Sequence, residues 1–196
     1  MWKNGNCPSV TRVLATGLLL LTALPKDPAL PKPPATAGHV KKSGRLRKNC
    51  WAAEMLVQQA FTAEAMSHCR DIRRLVFIEG QKVPEHEEWD GRDDEAMHFL
   101  VDVDGQAVGT CRVRILGHKA KLERMAVLEE YRGHGIGRFM MEHVLERLTL
   151  MPEVHKVHLH AQIAAKGFYD HFGFRAEGEH FFEADIEHIK MVRPVP

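Results

Sequence analysis

The sequence predicts an α+β domain built on a mixed, mainly antiparallel sheet flanked by helices. Three observations carry that prediction. Alternating runs Met97 to Val103, Ala107 to Ile115 and Lys119 to Val127 follow one another closely, the first two joined by Asp104-Gly105. Asp-Gly between alternating strands is a strong hairpin signal. The stripe Ile136, Met140, Val144, Leu148 recurs at i, i+4 and marks a helix that lays one side on a sheet. Two further strand-like runs near the end, Phe174 to Phe182 and Ile186 to Arg193, complete the sheet.

The elements follow in order. Glu54 to Thr62 alternates as a first strand. Ala63 to Ile78 has helical apolar spacing through Ala65, Cys69, Ile72, Leu75 and Val76. The segment 79–95 reads as a polar loop, with Gly80, Pro84 and the carboxylates Glu85, Glu87, Glu88, Asp90, Asp93, Asp94 and Glu95. Such a run can attract an amine, and it is also what a solvated loop looks like. The meander to Val127 comes next, then a glycine-rich turn and a helix from Ile136 to about Leu150. His155 to Gln162 is a fifth strand. A short helix holding Phe168 and Tyr169 ends at Gly173, a suitable C-cap. The chain shows no internal repeat.

The 196 residues suit one ordinary domain over 51–196 behind a tail over 1–50. Hydrophobic content of 44% is enough for a packed core. The formal charge of +1 hides an asymmetry, because the tail is strongly basic and the domain acidic. An acidic domain argues against nucleic acid as a partner. Cys7, Cys50, Cys69 and Cys111 form no CxxC pair, so neither a disulfide framework nor a zinc site is expected. Six of the ten prolines precede residue 35, so the tail is expected to be disordered. Its apolar run, Val13 to Leu24, is too short to span a membrane but suits the core of a targeting segment. Stable membrane insertion is not expected.

The most informative stretch is Arg132-Gly133-His134-Gly135-Ile136-Gly137, between a strand and a helix. A glycine-rich turn there aims backbone N–H groups and the positive helix end at one spot, which suits a diphosphate. Glycine lets the backbone come close, and Arg132 adds a cation at the rim. A P-loop is excluded, since Arg138 and Phe139 stand where Lys and Ser or Thr are needed. The dinucleotide fingerprint is excluded too, because Arg138 occupies its third glycine position.

Arg132-x-x-Gly135-x-Gly137 resembles the acetyl-coenzyme A signature of the GCN5-related N-acetyltransferase (GNAT) family. Ala165-Lys166-Gly167-Phe168-Tyr169, continuing to Gly173-Phe174, resembles a second block of that family, and His188 to Met191 its last strand. The resemblance covers roughly 51–196. It implies a GNAT-type sheet with splayed fourth and fifth strands. It also implies acetyl-CoA as co-substrate, no metal, and a small-molecule or peptide amine as acceptor. Gly133, His134, Gly135, Ile136, Gly137 and Arg138, with Arg132, would hold the diphosphate. Met125, Ala126 and Val127 would hold the pantetheine, with the Val127 N–H on the thioester oxygen. Acetyl-CoA is made inside cells, so a cytoplasmic or organelle-directed protein is expected. Oligomeric state is open, a dimer included.

Two side chains are candidates for proton chemistry. Tyr169 is the candidate general acid: a phenol (ordinary pKa about 10) protonating a thiolate (about 8.5). Its plainer reading is a core aromatic. Glu123 is the candidate general base, placed by strand alternation on one face with Met125 and Val127. Its plainer reading is an ion pair with Lys121 or Arg112. Glu79 and His160 are reserve bases. His158 and His160 share a strand face, and a zinc site there would need a further ligand. A glucosamine-6-phosphate acetyltransferase and a non-catalytic acyl-CoA binding module remain alternative readings.

Overall fold

The computed structural model describes residues 54–195. The expected tail over 1–50 and its targeting role lie outside the described residues. Among the described residues seven strands form one sheet in the order β1-β2-β3-β4-β5-β7-β6. They are β1 (Met55–Gln59), β2 (Met97–Val103), β3 (Gln106–Leu116), β4 (Lys119–Val127), β5 (Lys156–Gln162), β6 (Arg175–Glu183) and β7 (Ile186–Pro194). The helices are α1 (Ala63–Arg73), α2 (Glu85–Glu88), α3 (Ile136–Thr149) and α4 (Lys166–Asp170). All strand pairs are antiparallel except β4 with β5. The expected mixed sheet is therefore present.

Two layers of helix position the sheet. The α3 stripe Ile136, Met140, Val144 and Leu148 is buried against Phe99, Val113, Leu122, Val157 and Leu159. Burying such a side chain contributes about 1.5–3 kcal/mol, so this stripe anchors the helix that carries the glycine turn. On the other side, Cys69 and Ile72 of α1, with Val76 just beyond it, pack against Leu100 and Ala126. Thr62 starts α1, its Oγ1 accepting the Ala65 N–H at 3.1 Å. The helix continues past Arg73 as a π-helical stretch, Arg74–Gly80, which the sequence pattern does not distinguish from α. The expected loop over 79–95 contains the single turn α2.

The pairing of β4 with β5 runs only from Lys119↔Lys156 to Leu122↔Leu159, and beyond it the strands part. Just there β4 carries a bulge. The register passes from Arg112↔Glu123 to Thr110↔Ala126, so three steps on β4 oppose two on β3. Arg124 takes a left-handed φ of 53° to absorb the extra residue. A bulge bends its strand and shifts the side-chain phase by one. Ala120 and Leu122 pack in the α3 core, and so do Met125 and Val127, whereas Ala126 joins the α1 side. The expectation that Glu123 shares a face with Met125 and Val127 is thereby corrected.

Candidate functional site

The glycine turn is built for close approach. Gly133 (φ 79°) and Gly135 (φ 84°) both take left-handed backbone, which costs a residue with a Cβ about 1–2 kcal/mol. Gly135 is the N-cap of α3, and the Phe139 N–H to Gly135 carbonyl bond (2.9 Å) closes the first helical turn. The N–H groups just before Phe139 have no intrahelical acceptor, which leaves them for an anion. The Ile136 side chain is buried, so Ile136 offers the turn only its N–H. Arg138 turns its guanidinium to Glu142 at 2.7 Å and lines a separate groove with Phe168 and His171. It too offers the turn only backbone. Arg132 and His134 are exposed on the turn.

Where β4 and β5 part, a cavity of about 1030 Å³ opens. Its lining includes Met125, Ala126, Val127, Arg132 and Tyr169, together with Phe77, Glu123, Arg124 and His160. The Leu128 N–H bonds to Val108 on β3, while the Val127 carbonyl accepts Arg132 Nε at 3.0 Å. Donor and acceptor of one strand residue point to the same edge. The Val127 N–H therefore faces the gap, as a donor to a thioester oxygen must.

The comparisons agree with this geometry. Residues 57–194 match the family model described as acetyltransferase (GNAT) domain. The chain belongs to the GNAT acetyltransferase family. It is 36% identical over 144 residues to YyaT of Bacillus subtilis, an uncharacterised protein, covering 72% of this chain and 97% of YyaT. It is 34% identical over 123 residues to YjcF of the same organism, named as an uncharacterised N-acetyltransferase, with 62% and 87% covered. Among solved structures, an acyl-CoA N-acyltransferase from Pseudomonas aeruginosa superimposes with a TM-score of 0.64 at 27% identity, covering 72% of this chain and 99% of that one. GNAT enzymes use acetyl-CoA in general, and the parted β4 and β5 are where this GNAT chain opens its cavity.

One side of the cavity in this GNAT domain is backed by a charge cluster that the sequence reading missed. Arg112 is fully buried and donates to Asp90 at 2.8 and 2.7 Å and to Asp93 at 2.9 Å. Arg73, equally buried, meets Glu88 at 2.5 Å and Asp93 at 2.8 Å, and lies 5.1 Å over the Trp89 ring. Arg124, on the bulge, is 2.8 Å from Glu88. A buried charge left unpaired costs several kcal/mol, so each guanidinium draws in a carboxylate. Glu88, Asp90 and Asp93 are thus structural anions, neither a solvated run nor a free lure for an amine. Burial raises the Glu88 pKa, only partly offset by Arg124 and Arg73. One signal was available: Arg112 and Arg114, two apart on an otherwise apolar strand, need anions from somewhere.

Glu123 belongs to the same wall. It accepts from Arg114 at 2.8 and 3.0 Å and lies 3.0 Å from Arg112 and 2.8 Å from Lys121. Burial pushes its pKa up, but hydrogen bonds from Arg114 and Lys121 and the Arg112 charge outweigh that and hold it at about 2. A carboxylate so stabilised is a weak proton acceptor. The ion-pair reading of Glu123 is the one its geometry favours. Of the reserves, Glu79 pairs with Arg74 and is absent from the cavity lining, whereas His160 is part of it.

Tyr169 sits in the cavity wall, its hydroxyl donating to Met125 Sδ at 3.6 Å. Its ring packs edge-on to Phe168 and Phe174. Burial raises its pKa above the ordinary phenol value. A phenol is already a weaker acid than a thiol by about 1.5 pKa units, so full proton transfer to a thiolate runs uphill. The hydroxyl, turned to the cavity wall, suits a hydrogen-bond donor. A thioether is a poor acceptor, which leaves the hydroxyl ready for a better one. His158 and His160 do share a face, but no group of three or more His, Cys, Asp or Glu poised for a metal occurs among the described residues. No helix among them is long and apolar enough to cross a membrane.

Proposed function

We propose that this GNAT protein moves an acetyl group from acetyl-CoA directly to a primary amine, within a ternary complex. One observation carries the reading. A single cavity includes Arg132 at the glycine turn, Val127 and Tyr169 at the strand gap, and the polar residues Glu87, Asp90 and His160 beyond. Donor and acceptor share that space, so no covalent enzyme intermediate is needed. In this reading the turn over 132–138 binds the diphosphate through backbone N–H groups. Met125 to Val127 line the pantetheine, and the Val127 N–H donates to the thioester oxygen as negative charge builds there. Tyr169 donates to the departing sulfur. Glu123 holds the wall in shape.

The test is release of free CoA thiol from acetyl-CoA with a set of acceptors: spermidine, free amino acids, peptides with free N-termini, and glucosamine 6-phosphate. Turnover with an unphosphorylated amine is expected. Turnover with the phosphosugar alone would favour the sugar-acetyltransferase reading. Binding of acetyl-CoA by calorimetry without turnover on any acceptor would leave the non-catalytic module and overturn the proposal.

A further inference from the structure

We propose that His160, oriented by Glu183, is the general base that takes the proton from the acceptor ammonium. This rests on the amine-transfer reading above and supplies the base that reading lacks.

His160 is the first residue of β5 beyond the last rung paired with β4, Leu122↔Leu159. Leu159 and Ala161 point into the core, so His160 points to the opposite side, where it lines the cavity that also holds Tyr169. Its Nδ1 lies 2.8 Å from Glu183 Oε1 on β6. Phe181 packs edge-on to the imidazole, with ring centres 4.8 Å apart. The ring is thus held by a carboxylate and an aromatic edge. If Nδ1 carries the proton given to Glu183, Nε2 carries the lone pair. A base oriented by a third group is the usual logic of proton abstraction. Glu183 stays ionised because the hydrogen bond with His160 holds its pKa below the ordinary value, against the opposing pull of burial. Glu123 offers the contrast, being clamped by Arg112 and Arg114 on β3 and by Lys121 on its own strand.

The step balances. Nε2 takes a proton from R–NH₃⁺, and the freed nitrogen lone pair attacks the acetyl carbon. The C–N bond forms, the C–S bond breaks, and the electron pair leaves on sulfur. The sulfur then takes the second nitrogen proton, and imidazolium releases the first to solvent. The products are an amide, CoA thiol and one proton.

Other titratable or charged groups near His160 are Lys121 on β4, His158 on its own strand, and His188 and Lys190 on β7. The test must separate them. Initial rates are measured from pH 5.5 to 9 on the full chain, with acetyl-CoA and the fastest of spermidine, glucosamine 6-phosphate and a peptide with a free N-terminus. His160→Gln is expected to lower kcat by about 10²–10⁴-fold, leave the KM for acetyl-CoA unchanged, and abolish the fall in rate on the acid side. Glu183→Gln acts by positioning: kcat falls roughly tenfold while the KM for acetyl-CoA stays unchanged, a split that a merely structural role would not give. His158→Gln, on the same face but absent from the cavity lining, stays within about threefold of the unmodified rate. His160→Gln that keeps both its rate and its acid limb overturns the proposal. A tautomer measurement by ¹⁵N NMR on the unmodified protein guards against a variant that fails to fold. The Nδ1–H form is expected, and the Nε2–H form overturns the proposal. Failure of the unmodified protein to turn over any of the three amines defeats the amine-transfer reading itself, and the base with it.

Discussion

Replacing Glu123 by Gln separates a wall residue from a base. The Glu123 carboxyl is held at about 2 in the folded protein against an ordinary 4.5. Each pKa unit is worth about 1.4 kcal/mol, so the ionised group contributes about 3 kcal/mol at neutral pH. Its side chain is only 8% exposed, so solvent screens little of that. The sign follows from a depressed carboxylate. The contribution is complete above the unfolded value and is lost as pH falls through about 2. Glu123→Gln removes the charge while keeping the shape and one acceptor oxygen. We expect urea unfolding at pH 7 to report a loss of about 3 kcal/mol, with a Tm lower by about 10 °C. The gap should shrink to roughly half at pH 3, where the unmodified carboxylate has lost part of its advantage. Under the amine-transfer reading, kcat should stay within about tenfold. A stability change below about 1 kcal/mol together with a kcat loss above about 10²-fold would refute the reasoning and restore Glu123 as the base.

Four further predictions follow from particular contacts. Tyr169→Phe should lower kcat by about 10–100-fold, leave CoA affinity unchanged by calorimetry, and move Tm by less than about 2 °C, since the hydroxyl reaches only Met125 Sδ. Gly135→Ala should cost about 1–2 kcal/mol and weaken CoA binding, because its φ of 84° is unfavourable with a Cβ. Gly137→Ala should be tolerated or slightly stabilising in thermal melts, because the added Cβ would stand 3.7 Å from Met125 and Phe168 at ordinary contact. Arg112→Met should cost about 3–5 kcal/mol in urea unfolding, since Asp90, Asp93 and Glu123 would lose a buried partner.

Much of the architecture was written locally. Asp104 and Gly105 take positive φ values of 51° and 80°, the backbone of the hairpin their sequence announces. The α3 stripe buries as its spacing requires, and Gly133 and Gly135 use the conformations that glycine permits. These features depend on periodicity and on what one residue's backbone can adopt, so neighbours in the chain suffice to reveal them. The proton chemistry was different. Strand alternation put Glu123 with Met125 and Val127, and a bulge centred on an arginine broke that phase without a glycine to mark it. The partners that decide the site lie far apart in sequence: Arg73 with Glu88, Arg112 with Asp90, His160 with Glu183. Whether a carboxylate acts as base or as counter-ion depends on how much water and how many cations surround it. Those surroundings exist only after strands and loops distant in the chain have packed together, because desolvation acts through space and leaves no periodicity in the chain.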